Sequence, residues 1–296
     1  MKRAETTWLR ALVSAAAMLV LLSASAEAAT PVAVGPGGPG GDLPLTAAQR
    51  QNVAQKEARA RLEEARPGLS VRGGAAGGVA QAACPALAGG MAPATSCGTY
   101  WGYLVTYPRR QVKSYYCGVA TVQVISNYAW NMDASHDRYS QQYISDAWTN
   151  TDANGQTTAW YEAVGLQGAT AGSPRLPANF TYYYKRESSG SGWHADLRTD
   201  IGYFSMPMAA SVAPKDPGYG YVLATWSSPS ITAQYAGHWI VLTGWNGAWD
   251  GTAVPTVNFD DSAVGAAGST GTQSAYSMWQ IINKANPNHA AGYVVW

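Results

Sequence analysis

Hydrophobic side chains recur at helical spacing directly after Cys117. Apolar residues occupy positions 119, 122, 125 and 128 or 129, and this spacing is typical of one face of an α-helix. The pattern therefore predicts a helix whose first residue is Cys117.

Two apolar runs in the last part of the chain predict β-strands. The first covers 237–245 and has His238 at its beginning, and the second covers 254–261. Between them, Asn246-Gly247 is a turn dipeptide that opens a loop of about eight residues. If the two runs are strands of one sheet, His238 lies at one end of it.

Shorter apolar runs at 206–213 and 219–226 predict further strands that lead into the His238 strand. Together these patterns predict an α+β fold. A helical part that begins at Cys117 packs on an antiparallel sheet that carries His238, and a cleft between the two parts is the expected substrate site.

The strand register determines which carboxylate meets His238. If the strands pair antiparallel with Trp245 opposite Val254, His238 falls opposite Asp261. Side-chain alternation then places Asp261 on the inward face. A slip of one residue would select Asp260 instead.

A charged helix is predicted near the N-terminus. Residues 43–66 are rich in Ala, Gln, Arg and Glu, and Pro67 ends the run. Thr46 and Gln49 have the spacing of a capping box. Two interpretations stay open: a solvated spacer helix, or a pro-segment that covers an active site.

The first residues resemble an export signal. Lys2, Arg3 and Arg10 precede a short apolar run at 11–22, and small residues follow at 24–28. We interpret 1–29 as a signal peptide, because about 12 apolar residues are too few to cross a bilayer. The mature protein is expected outside the cell, without a membrane segment.

Composition narrows the range of partners. The chain has 296 residues, only 12% of them charged, and a net charge of +1. No basic field is available to hold nucleic acid or an anionic membrane. Charged residues are concentrated before residue 73, so we divide the chain into the signal, a Pro/Gly-rich linker with the charged helix at 30–96, and a catalytic domain at 97–296.

Three cysteines suggest one thiol with a chemical role. Cys84 and Cys97 are close enough in sequence for a local disulfide, which leaves Cys117 unpaired. The start of a helix favours a thiolate and lowers the pKa of the thiol. Gln111, six residues earlier, is near enough for its amide to join the Cys117 N–H around an oxyanion.

A cysteine nucleophile needs a base, and the chain has four histidines. His136, His194 and His289 stand in polar or turn-forming segments and are predicted to be solvated. His238 is the candidate base, with Asp261 as its orienting carboxylate. We find no zinc-ligand spacing and no phosphate-binding motif, and therefore expect no metal and no cofactor.

Three segments carry a family resemblance: YYCGVATVQVISNY with Gln111 before it, then GHWIVLTGW, then VNFDDSA. From residue 111 to 262 the chain resembles the papain-like cysteine peptidases of the C39-like, bacteriocin-processing type. The resemblance implies a papain-like fold, Cys117 as nucleophile, His238 as general base, Asp261 as orienter and Gln111 as oxyanion donor. Val119 and Ser262 stand where the family often has proline.

The expected function is a secreted, monomeric cysteine peptidase that acts on peptide or protein substrates. Two alternatives stay open: a thiol amidase or acyltransferase that acts on cell-wall peptides, and a catalytically silent papain-like binding module. The Tyr182-Tyr183-Tyr184 triplet is interpreted either as packing or as part of a substrate cleft.

Overall fold

An antiparallel β-sheet forms the centre of the computed structural model, which describes residues 43–65, 101–214, 221–227, 237–246, 255–283 and 293–296. These residues belong to one compact unit. The strands are β1 (Trp101–Tyr103), β2 (Tyr184–Arg186), β3 (Met208–Val212), β4 (His238–Asn246), β5 (Thr256–Asp261), β6 (Ser269–Ser274) and β7 (Tyr293–Val295). Their order is β2-β7-β3-β4-β5-β6, and β1 pairs with β4 beside this path.

Helices pack around this sheet. They are α1 (Ala47–Glu64), α2 (Cys117–Ala129), α3 (Gln141–Ile144), α4 (Thr151–Asn154), α5 (Ala159–Thr170), α6 (Gly190–Leu197) and α7 (Ala275–Asn283). Two π-helical turns (Ser145–Thr149 and Arg198–Phe204) and one 3-10 turn (Ala224–Trp226) complete the regular structure of the described residues. The predicted α+β class is therefore confirmed.

Helix α2 begins at Cys117, as the spacing of its apolar residues predicted. It packs against α5 and β4, and every one of its residues after Cys117 is buried. The polar ones are satisfied internally: Gln123 Nε2 donates to the Tyr139 carbonyl at 2.8 Å, and Asn127 Nδ2 donates to Asp137 at 2.7 Å. The apolar pattern alone gave no sign that the helix would be enclosed on all sides.

The predicted β4 is confirmed, but the predicted register with β5 is wrong. Trp245 pairs with Val257, not with Val254, and Val241 pairs with Asp260. The described β5 begins at Thr256, and an irregularity between Leu242 and Gly244 reduces the offset from the predicted register, from three residues at Trp245 to two at Leu242.

The run at 206–213 forms β3 as predicted, whereas the strand predicted at 219–226 is wrong in its described part. Ala224–Trp226 is a 3-10 turn, which begins where the Leu223 N–H donates to the Pro214 carbonyl at 2.8 Å. The turn directs the Trp226 side chain into the interior, where it is 2% exposed.

Helix α1 has the predicted capping box, with both of its hydrogen bonds between Thr46 and Gln49. It packs on α6 and on the π-helical turn 198–204. Lys56 is fully buried in that contact and lies 2.9 Å from Asp200. Its ammonium is also 3.8 Å from the centre of the Phe180 ring. The helix is therefore anchored on the body, which a solvated spacer would not be.

Two further expectations concern residues near α1. His194 was predicted to be solvated but is buried at 2% exposure, because Ser189 caps α6 and the predicted turn is the start of that helix. Tyr182 and Tyr183 are buried as well, and both rings face Lys56. This favours packing for the first two tyrosines of the triplet.

No helix within the described ranges is long and apolar enough to cross a membrane. The predicted signal peptide, the Cys84–Cys97 disulfide and His289 lie outside the described residues and stay predictions.

Candidate active site

Three element ends bring Cys117, His238 and Asp261 together: the start of α2, the start of β4 and the end of β5. His238 Nε2 lies 2.8 Å from Asp261 Oδ1, and interaction with the Cys117 thiol helps to raise the pKa of the histidine. Because Nε2 faces the aspartate, Nδ1 is the nitrogen left for the thiol. His238 and Asp261 are 3% and 0% exposed, while Cys117 is partly exposed.

Backbone N–H groups complete the surroundings of the thiol. The first N–H groups of any α-helix have no intrahelical partner. In helix α2 no side chain caps them either. Hydrogen bonding from the backbone N–H groups of Gly118 and of Trp239 on β4 helps to lower the pKa of the Cys117 thiol. The Trp239 indole N–H donates in turn to the Thr157 carbonyl at 2.8 Å, which fixes the start of β4 against the loop before α5.

Cys117, His238 and Asp261 shift one another's pKa values toward the charged forms. Burial raises the pKa of the Cys117 thiol. Hydrogen bonding with His238, the charge of His238 and the two N–H groups lower it by a larger amount, so the net shift is downward. Burial lowers the pKa of His238, and Asp261 and Cys117 together raise it to about 10. Burial raises the pKa of Asp261, and the charge of His238 brings it down to about 2. The site therefore favours an imidazolium and a carboxylate at neutral pH, and it shifts the Cys117 thiol toward the thiolate.

Asp261 is held by donors that the sequence did not indicate. Its Oδ2 accepts from the Thr225 hydroxyl at 2.6 Å and from the Trp226 indole N–H at 2.8 Å. Its Oδ1 also accepts the Ala263 N–H at 2.8 Å. The Trp226 ring lies 5.6 Å from the His238 ring. Because 219–226 has the pattern of a strand, no local signal placed these donors at the carboxylate.

Asp260, the alternative carboxylate, contacts Thr106 instead of His238. It accepts the Thr106 hydroxyl at 2.6 Å, and its burial raises its pKa to about 6. The structure thus brings Asp261, and not its neighbour, to His238.

Gln111 lies beside the end of β5. Its backbone N–H donates to the Ser262 carbonyl at 3.1 Å, and its Oε1 accepts from the Ser262 hydroxyl at 3.2 Å. Its Nε2 donates to the carbonyls of Lys113 and Ser114 at 3.1 and 2.7 Å. Both amide hydrogens are thereby engaged within the loop, and neither is directed at an oxyanion in this structure.

The loop between Gln111 and α2 is braced by Lys113. Its ammonium lies 2.7 Å from Asp152 Oδ1 and donates to the Tyr116 hydroxyl at 2.8 Å. The Tyr116 hydroxyl donates in turn to Gln142 Oε1 at 3.2 Å. These contacts connect the residues before the nucleophile to α3 and α4, a role that sequence analysis did not assign.

Glu162 is a second acidic group beside the nucleophile that the sequence did not suggest. It is fully buried, and neither of its carboxyl oxygens has a hydrogen-bond partner among the described residues. A Cβ on Gly118 would lie 2.6 Å from Glu162 Oε2 and 2.5 Å from Thr157 Cβ. Burial raises the pKa of Glu162 well above its usual range, and the charge on Cys117 raises it further. The glycine after the nucleophile is therefore required by the packing.

Cys117, His238 and Asp261 thus place a thiol, an imidazole and a carboxylate in the order that a cysteine nucleophile with a base and an orienting carboxylate would require. Comparison with protein-family models and with curated proteins found no match for this chain. Within the described ranges, no three His, Cys, Asp or Glu side chains are grouped as a metal ion would require.

Proposed function

We propose that this chain is an exported cysteine peptidase of papain-like fold that hydrolyses peptide bonds through Cys117, His238 and Asp261. The observation that carries the proposal is the position of His238, which lies 2.8 Å from Asp261 and whose pKa is raised by both Asp261 and the Cys117 thiol. A buried histidine between a thiol and a carboxylate is what an activated cysteine nucleophile needs.

In the proposed first step, the Cys117 thiolate attacks the carbonyl carbon of a peptide bond, and a C–S bond forms. The electron pair of the carbonyl moves to oxygen, which the Cys117 N–H stabilises together with one Gln111 amide hydrogen that leaves its loop carbonyl in this step. As the C–N bond breaks, His238 gives its proton to the leaving amine. The product of this step is a thioester on Cys117 and a free amine.

In the second step, water hydrolyses the thioester. Neutral His238 takes a proton from the water as the oxygen attacks the thioester carbon. The C–S bond breaks, which releases the carboxylic acid and returns the thiolate and the imidazolium. Asp261 stabilises the imidazolium in both steps, and its own proton count does not change.

The proposal is tested by alkylation of the purified protein with iodoacetamide from about pH 4 to about pH 9, read by intact mass. Rapid labelling of Cys117 is expected well below the ordinary pKa of a thiol, and H238A should move the inflection upward. H136A is the matched control, because His136 is exposed and bonded only to nearby polar groups, such as Asp133 at 2.8 Å.

Substrate class is read in parallel by incubating wild-type and C117A protein with a fluorogenic peptide library and with peptidoglycan. Peptide cleavage that C117A lacks supports the proposed peptidase. Product release from peptidoglycan alone would favour an amidase or acyltransferase instead. An inert thiol at every pH would contradict both and favour a binding module.

A further inference from the structure

We propose that Ser262 positions Gln111 for oxyanion stabilisation, so that the residue after the orienting aspartate also sets the oxyanion donor. This inference rests on the proposed function. It starts from the two hydrogen bonds between these residues, one through the Ser262 hydroxyl at 3.2 Å and one through its carbonyl at 3.1 Å.

The orientation of the Gln111 amide follows from its neighbours. The carbonyls of Lys113 and Ser114 both accept from Nε2, so a flipped amide would place its oxygen against two acceptors. With Nε2 on that side, Oε1 must face Ser262, whose hydroxyl is a donor. Ser262 is thus the group that binds the far side of the amide.

Ser262 is itself fixed by the catalytic strand. It is 6% exposed and directly follows Asp261, whose side chain binds His238 and the Ala263 N–H. A change in the position of Asp261 therefore moves Ser262 as well. One short segment, 261–263, holds the base on one side and the oxyanion donor on the other.

An oxyanion donor must be directed at a charge that exists only in the transition state. For Gln111 this requires one of its two amide hydrogens to leave the Lys113 or Ser114 carbonyl. A hydrogen bond to Oε1 limits how far the amide can rotate when that happens. Ser262 limits the directions in which the freed N–H can point in this way, and without it no hydrogen bond holds Oε1 in place.

The test separates reactions that form an oxyanion from one that does not. Acylation of Cys117 by p-nitrophenyl acetate passes through a tetrahedral oxyanion as the C–S bond forms and p-nitrophenolate leaves. Alkylation by iodoacetamide displaces iodide and forms no oxyanion. It therefore reports only the thiolate and His238.

S262A is expected to lower the saturating acylation rate about tenfold with little change in KM, as a misplaced oxyanion donor should. The rate of iodoacetamide labelling and its pH profile should not change. S262T, which keeps a hydroxyl, should restore acylation. S269A is the matched control, because Ser269 pairs with Asp261 from β6 and its hydroxyl has no partner in the described structure.

A double-variant comparison shows whether the serine acts through the glutamine. In a Q111A background, S262A should cause no further loss of acylation rate. Full acylation in S262A while Q111A is impaired would overturn the inference, and so would a changed labelling profile in S262A. A wild-type protein that iodoacetamide and p-nitrophenyl acetate both fail to modify would instead overturn the proposed function, and this role with it.

Discussion

Replacing Asp261 with asparagine separates the charge of the orienting residue from its shape. Asparagine can still accept a hydrogen bond through its side-chain carbonyl, but it carries no charge. Asp261 is the main group that opposes the effect of burial on His238 and raises the pKa of that histidine to about 10. Without the charge, only Cys117 still opposes the effect of burial, and the pKa of His238 should fall toward its ordinary value near 6.5.

The size of the effect follows from these values. A fall in the pKa of His238 from about 10 to about 6.5 weakens proton binding by between three and four powers of ten, on the order of 5 kcal/mol. Loss of the imidazolium also removes the largest group that lowers the pKa of the Cys117 thiol. In D261N the thiolate should therefore form only near or above the ordinary pKa of a cysteine, about 8.5.

Iodoacetamide labelling as a function of pH measures this directly. At about pH 6, we expect D261N to react at least about 100-fold more slowly than wild type, because a thiol with an ordinary pKa is almost entirely protonated there. D260N is the matched control, since Asp260 is buried nearby and binds Thr106 at 2.6 Å. If D260N shifted the profile and D261N did not, the assignment of the orienter would be refuted.

Three further predictions address other contacts. W226F keeps an aromatic ring but removes one donor to Asp261 and should slow peptide cleavage about tenfold, roughly the effect of one hydrogen bond to a charged group; unchanged cleavage with the peptide library would show that the indole N–H is dispensable. G118A places a methyl group 2.5 Å from a Thr157 carbon and should lower the thermal midpoint in calorimetry, and an unaltered midpoint would contradict the tight packing. K56A leaves Asp200 buried without its partner and should lower the free energy of unfolding in urea by about 3–5 kcal/mol, with a smaller loss in K56M; equal stability of K56A and wild type would mean that α1 does not contribute.

Local patterns predicted the elements that carry the site. The apolar spacing after Cys117 fixes the start of α2, and the capping pair before α1 is visible in four residues of sequence. Each of these depends on contacts within one turn or one strand, where the responsible residues are adjacent in the chain.

The side-chain contact between His238 and Asp261 is present, although it was predicted from a wrong strand register. Val241 pairs with Asp260, where the predicted register would give Asn258. The offset there is two residues, and an even offset leaves the same side chains on the same face of the sheet. An odd offset would have exchanged Asp261 for Asp260.

The donors to Asp261 and the buried acid beside Gly118 could not be predicted in this way. Thr225 and Trp226 lie 35 or more positions before Asp261 and reach it through a 3-10 turn. Glu162 meets Gly118 because α5 packs on α2. Such contacts depend on how distant elements pack together, and they cannot be predicted from the residue types alone.

Because every residue of α2 after Cys117 is buried, the chemistry of the Cys117 thiol depends on the folded state of the whole described domain. A helix buried on every side exchanges its amide hydrogens only through large-scale opening, together with the most protected part of the chain. Local fluctuation of a loop therefore does not release the first turn of this helix. In an unfolded chain Cys117 is an ordinary thiol, mostly protonated at neutral pH and slow to react. Under the proposed function, its reactivity develops only when the helix, β4 and the end of β5 have assembled, so labelling of this residue would be a probe of complete folding.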